Sequence, residues 1–171
     1  VDPTVEDNPD SKVNMAVNNI FNKWEETKDD SLTQVVFLDR STPSKGFNLY
    51  DDIKSKLIAL GIPEEIKFIH DAKNDKEKVK LFEDVNEGRV RILIGSTEKM
   101  GAGTNIQKKL CALHHIDVPW RPSDIEQREG RILRQGNDCK EVEIFRYATE
   151  GTFDSYSWQT IEYKQKFISQ V

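Results

Sequence analysis

The chain has 171 residues, of which 36% are hydrophobic, and its formal net charge is −5. This length predicts one domain with a buried core and leaves too little chain for two full domains. Residues 1–33 carry eight acidic and three basic side chains, so the remaining residues are electrically balanced. That balance argues against a protein that binds DNA by bulk charge, although it permits one that holds phosphates with a few placed groups.

The sequence contains no apolar stretch near the roughly 20 residues of a membrane span. Residues 1–10 are acidic and lack the basic and apolar parts of a signal peptide. Cys111 and Cys139 have neither CxxC spacing nor the histidine pairing of a zinc site. We therefore expect a soluble cytoplasmic protein with free thiols, no metal ligands of its own and no membrane partner.

The N-terminal part predicts a short lead-in followed by a helix. Residues 1–10, with two prolines and four acids, predict a flexible lead-in. Within residues 11–33, apolar side chains recur at steps of three and four from Val13 to Trp24. This spacing predicts an amphipathic helix over residues 12–27 that packs against the rest of the domain.

Residues 34–150 alternate between short apolar runs and amphipathic stretches. The apolar runs predict strands at residues 34–39, 66–71, 90–96, 112–118 and 141–149. The intervening stretches predict helices at residues 48–61, 74–88 and 123–136, with Asn74 as an N-cap and with Gly61 and Gly88 as helix ends. This alternation predicts an α/β fold with a mostly parallel sheet and ligand-binding loops at the carboxyl ends of the strands. A closing helix is expected over residues 151–171.

The loop after the third predicted strand is rich in glycine. Gly101 and Gly103 allow backbone conformations closed to other residues and let main-chain amides approach a ligand closely. An ordinary strand-to-helix turn is the alternative interpretation. The chain has no Gly-Lys-Ser/Thr sequence and thus no Walker A loop, and the stretch GAGTNI lacks the third glycine of a dinucleotide fingerprint.

The stretch SDIEQREGRILRQG, residues 123–136, concentrates arginines in an acidic chain. As a helix it would place Gln127, Arg131 and Arg134 on one stripe, with two isoleucines nearly opposite. Guanidinium groups are permanently charged and grip phosphate oxygens by paired hydrogen bonds. A solvated helix whose arginines pair with its own acids is the alternative.

Together these stretches resemble the second RecA-like domain of superfamily 2 helicases and DNA translocases. In chain order VVFLDRS, GAGTNI and the arginine stretch look like motifs IV, V and VI, and QREGRILR meets the Q-x-x-G-R-x-x-R pattern in full. The resemblance covers residues 34–150. It implies a RecA-like three-layer α/β/α fold, here with helical extensions at both ends.

In such enzymes ATP binds between two RecA-like domains, the first of which brings the Walker loop and the acid that holds Mg²⁺. The resemblance therefore implies ATP with Mg²⁺ as cofactor and an N-terminal RecA-like domain of the same polypeptide as partner. It implies that Arg134 is the arginine finger, Arg131 its partner on the γ-phosphate side and Gln127 a sensor of the phosphate edge. The isolated chain should bind ATP poorly and hydrolyse none.

Motif V is most similar to the chromatin-remodeller version. The resemblance implies that Ser96 and Thr97 contact a nucleic-acid backbone phosphate, since hydroxyls bind phosphates without reading sequence. It also implies that Gly101, Gly103 and Asn105 couple this contact to the nucleotide cleft, and that these three and Gly130 of motif VI are cofactor-binding residues. DNA is the expected partner, with RNA as the alternative.

Four further residues are candidates for nucleic-acid contacts. The stretch DVPWRPSD resembles the remodeller group, which implies that Trp120 stacks or wedges and that Arg121 contacts the backbone. Packing of Trp120 against motif VI is the alternative. Ser41 and Thr42 follow the first predicted strand and are candidate phosphate contacts.

The tail GTFDSYSWQTIEYKQKFISQ resembles that of large bacterial and mobile-element proteins that join a helicase region to an adenine-specific DNA methylase. No Asn/Asp-Pro-Pro-Tyr/Phe methylase stretch occurs in these residues. The sequence thus predicts the C-terminal motor lobe of an ATP-dependent DNA helicase or double-strand translocase. A non-catalytic RecA-like interaction module and an RNA-directed helicase lobe are the alternatives, and the intact motif VI argues against the first.

Overall fold

The computed structural model describes residues 11–101, 105–119, 121–148 and 158, and within them five strands form one parallel sheet. The strands are β1 (Thr33–Phe37), β2 (Ile66–Phe68), β3 (Ile92–Gly95), β4 (Leu110–His115) and β5 (Glu143–Arg146). The α-helices are α1 (Lys12–Glu26), α2 (Leu49–Leu60), α3 (Asp75–Asn86), α4 (Thr97–Met100) and α5 (Pro122–Glu129). The predicted α/β class is confirmed.

The strand order is β2-β3-β1-β4-β5. The chain leaves β1 towards the β2 edge and leaves β4 towards the β5 edge, although β1 and β4 are direct neighbours. Where neighbouring strands lead in opposite directions, their carboxyl ends leave a crevice, which is the usual ligand position in open α/β sheets. The sheet therefore places this crevice just beyond the pairs Val36↔His114 and Phe37↔His115.

Two apolar clusters cover the two faces of the sheet. Alternate side chains of a strand point to opposite faces, so Val36 belongs to one cluster and Val35 to the other. The first cluster is formed with α1 and α2, and the second with α3, Met100 and Ile132. This is the three-layer α/β/α architecture that the sequence predicts.

Helix α1 is confirmed and is part of the core. Ser11 caps it, with its Oγ accepting a hydrogen bond from the Asn14 N–H at 3.2 Å. Ile20 is buried, and the Gln34 side-chain amide donates to its carbonyl oxygen at 2.9 Å. The predicted lead-in lies outside the described residues, as does the closing helix apart from the helical residue Trp158. Among the described helices, none has both the length and the apolar character to span a bilayer.

Several predicted boundaries are confirmed and others move by a few residues. Asn74 caps α3, since its Oδ1 accepts from the Glu77 N–H at 2.9 Å, and α2 ends at Gly61 with φ +115°. Strand β2 stops at Phe68 because a 3₁₀ turn, Ile69–Asp71, follows it. The Asp71 carboxylate accepts from the Phe68 N–H at 2.9 Å and closes that turn.

The predicted helix over residues 123–136 is wrong in its second half. Helix α5 ends at Glu129, and the chain continues in turns. Ile125 packs with Trp158, whereas Ile132 packs with the cluster beneath the sheet that contains Ile106. The chain turns at Gly130, between the two isoleucines, and each isoleucine packs in its own cluster.

Candidate functional site

A cleft of about 820 Å³ lies at the carboxyl edge of the sheet. Ten residues line it: Asp39, Thr42, His70, Ser96, Thr97, Glu98, Lys99, Arg121, Asp124 and Gln127. Five of them are among the residues singled out by the sequence, namely Thr42, Ser96, Thr97, Arg121 and Gln127. The fold thus unites parts of motifs V and VI with loops that are distant in the chain.

Ser96 and Thr97 sit where β3 ends and the short helix α4 begins. The Ser96 hydroxyl caps α4 by accepting from the Lys99 N–H at 3.2 Å. The N–H and hydroxyl of Thr97 donate to Asp39 Oδ1 at 2.7 and 3.0 Å. Both residues line the cleft although each is only 7% exposed. A phosphate in the cleft would compete with Asp39 for the hydrogen bond that the Thr97 hydroxyl donates.

Arg128 fills the crevice between β1 and β4, and the sequence did not single it out. Its side chain is fully buried, and its Nη2 pairs with Asp39 Oδ2 at 2.9 Å and with Asp117 Oδ1 at 3.0 Å. Its Nε donates to Thr97 Oγ1 at 2.8 Å. The guanidinium also lies 5.2 Å from the centre of the Phe37 ring. One side chain therefore joins the residues that follow β1, β3 and β4.

The sequence does contain a signal for this arrangement. Arg128 follows Ile125 by three residues and precedes Ile132 by four, so it lies on the apolar side of the predicted helix. An arginine on a buried face needs acidic partners, because an uncompensated buried charge is strongly unfavourable. Asp39 and Asp117 each end an apolar strand in the sequence and were available as those partners.

A second layer of polar contacts holds the guanidinium in place. Nη1 of Arg128 donates to the Asp117 carbonyl oxygen at 3.0 Å and lies 3.2 Å from Nδ1 of His115. Since Nδ1 accepts this bond, Nε2 carries the imidazole proton and donates to Glu129 Oε1 at 3.1 Å. Burial lowers the pKa of His115, and the charge of Arg128 lowers it further, although the Glu129 carboxylate opposes both. The network is thus consistent with a neutral imidazole.

The acids of this network also act on a tyrosine of α2. Burial raises the pKa of the Tyr50 hydroxyl, and the negative charges of Asp117 and Asp39 raise it further. The neutral hydroxyl donates to the Leu38 carbonyl oxygen at the end of β1. The loop after β1 is therefore fixed from both faces of the sheet.

The three polar residues predicted to share one helical stripe differ in their surroundings. Gln127 lines the cleft, whereas Arg131 is buried, with 2% exposure, in the turns after α5. Arg134 is partly exposed, and its Nη1 donates to Asn105 Oδ1 at 2.8 Å. Burial lowers the pKa of Arg131, and the nearby charge of Arg134 lowers it further. Arg131 and Arg134 thus interact with each other, and of the three residues only Gln127 is among those that line the cleft.

Two of the predicted glycines have a clear backbone requirement. Gly101 ends α4 with φ +70°, a conformation that other residues rarely adopt. At Gly130 a Cβ atom would lie 2.9 Å from the Glu126 carbonyl oxygen, so the tight turn after α5 excludes larger residues. Asn105 lies beside the end of α3, where its carbonyl oxygen accepts from the Asn86 side chain at 2.8 Å. Gly103 lies outside the described residues.

The remaining nucleic-acid candidates lie on loops at the carboxyl edge. Ser41 has φ +53°, and its Oγ accepts from the Leu49 N–H at 2.8 Å, which fixes the start of α2. Arg121 is well exposed and approaches Asp124 at 3.6 Å. Trp120 lies outside the described residues. These assignments stay predictions.

Neither the acidic nor the sulfur-bearing side chains build a metal site in the described part of the chain. No group of three or more histidine, cysteine, aspartate or glutamate residues there has a suitable arrangement. Cys111 is a buried free thiol, and burial raises its pKa to about 11.

Comparisons with known proteins agree with this geometry. A model of the helicase conserved C-terminal domain matches residues 20–136. The chain is 35% identical over 92 residues to defense against restriction protein B of Escherichia phage P1, a match that covers 54% of this chain and 4% of that protein. It is 37% identical over 76 residues to the uncharacterized ATP-dependent helicase YqhH of Bacillus subtilis (strain 168), with 44% and 13% covered. The chain therefore spans a small part of these relatives.

Solved structures share the fold. The C-terminal part of the Fun30 ATPase domain superposes with a TM-score of 0.68 at 19% identity, covering 92% of this chain and 48% of that one. The DUF1998 helicase MrfA bound to DNA gives a TM-score of 0.63 at 17% identity, covering 95% and 21%. The solved structures show the RecA-like fold, and the family match shows that the chain belongs to the helicase conserved C-terminal domain family.

Proposed function

We propose that this chain is the C-terminal motor lobe of an ATP-dependent DNA helicase or double-strand DNA translocase. An N-terminal RecA-like lobe of the same polypeptide supplies the Walker loop and the acid that holds Mg²⁺. The observation that carries the proposal is the cleft that unites Gln127 of motif VI with Thr97 of motif V and Arg121. The two lobes would close when ATP binds between them and open after hydrolysis, and this cycle would move them along the DNA.

On the nucleotide side, Arg134 and Arg131 offset the negative charge of the triphosphate. Arg134 is partly exposed, and its Nη1 donates to the neutral amide oxygen of Asn105, a contact that the charged oxygen of a phosphate could replace. The mutual repulsion that lowers the pKa of Arg131 would be relieved by an anion between the two guanidinium groups. Because Arg131 is buried in the lobe described here, its contact with ATP requires a shift of the turns after α5.

On the nucleic-acid side, the cleft offers hydroxyl groups and cations to a backbone phosphate. Thr42, Ser96 and Thr97 supply hydroxyls, and Arg121 supplies an exposed guanidinium. Ser41 and Trp120 extend the same surface in the proposal. DNA is favoured over RNA by the remodeller-like motif V and by the DNA bound to the structurally similar helicase MrfA.

The test is the substitution Arg134→Ala in the complete ATPase that contains this lobe. We expect a loss of about 10³-fold in nucleic-acid-stimulated ATP hydrolysis, because an arginine finger contributes on that scale. The Kd for DNA, measured by fluorescence anisotropy, should stay within about threefold, since Arg134 lies outside the cleft. The matched control is Arg89→Ala, which removes an exposed arginine paired with Asp84 and should leave hydrolysis intact.

Full hydrolysis by R134A would exclude the finger assignment. Stimulation of the unmodified enzyme is measured with duplex DNA, single-stranded DNA and RNA. Stimulation by RNA alone would identify an RNA helicase, and no response to any of the three would favour a non-catalytic interaction module.

A further inference from the structure

The Arg128 network physically connects the two halves of the proposed site. Its guanidinium contacts Thr97, whose hydroxyl group lines the cleft, and Asp39, which lines the same cleft. Arg128 itself belongs to α5, whose last residue is followed directly by the turns that carry Arg131 and Arg134. One buried side chain therefore links the lining of the cleft to the helix that leads into the turns of Arg131 and Arg134.

The hydrogen bonds of the Thr97 hydroxyl show how occupation of the cleft would alter this network. The Thr97 hydroxyl has one proton, which it donates to Asp39, while its oxygen accepts from Nε of Arg128. If a backbone phosphate accepts this hydrogen bond in place of Asp39, the Asp39 carboxylate loses one donor. The Asp39 carboxylate would then pair more strongly with Arg128, which redistributes the contacts of the guanidinium between Asp39 and Asp117.

We infer that Arg128 is a positioning residue that couples occupation of the nucleic-acid cleft to the placement of Arg131 and Arg134, an inference that rests on the proposed function. It touches neither ligand. Arginine is required because its planar fork bonds in several directions at once, to Thr97, Asp117 and His115. A lysine ammonium is a compact point charge and cannot reach these partners together.

The chain contains a matched control in Arg91. This arginine is also buried, with 2% exposure, and its guanidinium also lies 5.2 Å from an aromatic ring centre, that of Trp24. Its partners are the carbonyl oxygens of Leu32 and Trp24 and the Thr27 hydroxyl, at the amino edge of the sheet. Arg91 therefore has a similar burial but no contact with the cleft.

The experiment measures thermodynamic coupling in the complete ATPase. The Kd for a fluorescein-labelled DNA duplex is determined with and without a nonhydrolysable ATP analogue, and the ratio of the two values is the coupling factor. Coupling between sites is typically about 5–150-fold. We expect Arg128→Lys to bring the factor to within about twofold of unity, while the Kd for DNA without nucleotide changes far less. Arg91→Lys should keep the factor of the unmodified enzyme.

Asp39→Asn is a second, milder variant, because it keeps the shape of the side chain but removes the charge that pairs with Arg128. It should lower the coupling factor by at least about twofold, and it decides the question if R128K does not fold by circular dichroism. The inference is overturned if R128K and D39N keep the unmodified factor, or if R91K loses it equally. If the unmodified enzyme shows neither DNA binding nor DNA-stimulated ATP hydrolysis, the proposed function fails as well.

Discussion

Two buried arginines at opposite edges of the same sheet have opposite surroundings. Arg128, at the carboxyl edge, pairs with the carboxylates of Asp39 and Asp117. Arg91, at the amino edge just before β3, donates to neutral oxygens of Leu32 and Trp24. Burial lowers the pKa of Arg91, with weaker opposition from Glu65 and Cys111. Two arginines with similar burial thus have different partners, carboxylates for Arg128 and backbone carbonyl oxygens for Arg91.

The difference lies in what each arginine connects. Arg91, just before β3, ties that segment to the end of α1 and to Leu32 before β1. Arg128 joins three loops at the edge where α/β proteins bind ligands. Two partners of Arg128, Asp39 and Thr97, line the cleft, whereas the partners of Arg91 lie at the opposite edge of the sheet.

The largest expected effect on stability is that of Arg128→Ala. This change leaves two carboxylates without their cation, one of them the buried Asp117. Loss of one partner of a buried ion pair destabilises by about 3–5 kcal/mol. Urea denaturation followed by circular dichroism measures the free energy of unfolding. A loss below about 1 kcal/mol would show that the carboxylates find other partners.

A smaller loss in the free energy of unfolding is expected for Arg91→Ala. It leaves carbonyl oxygens without a donor and removes the contact with Trp24, but it strands no charge. We expect a loss of about 2 kcal/mol in the same urea titration. A loss larger than that of R128A would reverse the comparison between the two edges.

A third prediction concerns the effect of acidic pH on stability through His114, which stacks with Tyr147 of the first apolar cluster. It is fully buried between Gln34 Oε1 and the Tyr147 hydroxyl, each at 2.8 Å. Burial, together with nearby His115 and Lys23, lowers its pKa from 6.5 to about 3. Below pH 6.5 the imidazole binds a proton in the unfolded chain but stays neutral in the folded chain. The contribution of His114 to the free energy of unfolding is therefore complete above that pH and falls as the pH decreases.

The expected loss from His114 is about 2 kcal/mol at pH 5 relative to neutral pH, because each pH unit contributes about 1.4 kcal/mol. The free energy of unfolding is measured from pH 7.5 to pH 5. His114→Gln should flatten this slope, whatever its effect at neutral pH. An unchanged slope in H114Q would show that other groups dominate the acid response.

The smallest effect on the free energy of unfolding is expected for Arg89→Ala at the amino edge. Arg89 is largely exposed and pairs with Asp84 at 2.8 Å. Exposed pairs contribute about 0–1 kcal/mol, so the free energy of unfolding should change by about 0.5 kcal/mol or less. A change comparable to that of R91A would mean that exposure does not separate the two arginines.

Much of the fold follows from local patterns in the sequence. Continuous apolar runs located the five strands, and Asn74 and Gly61 marked helix ends correctly. Boundaries shifted where a side chain formed an unexpected turn, as Asp71 does after β2. The helix drawn from Ser123 to Gly136 failed because helical spacing cannot show that Ile125 and Ile132 pack in different clusters.

The sequence alone determined the α/β class, the parallel sheet and the family, because hydrophobic period and motif order are local properties. Tertiary structure decided which of the polar residues meet. It placed Thr97 and Gln127 in one cleft, moved Arg131 into the interior and put Arg128 into the crevice between β1 and β4. The reason is that a buried charge requires partners from distant segments, and only the folded chain brings Asp39 and Asp117 within reach of one guanidinium.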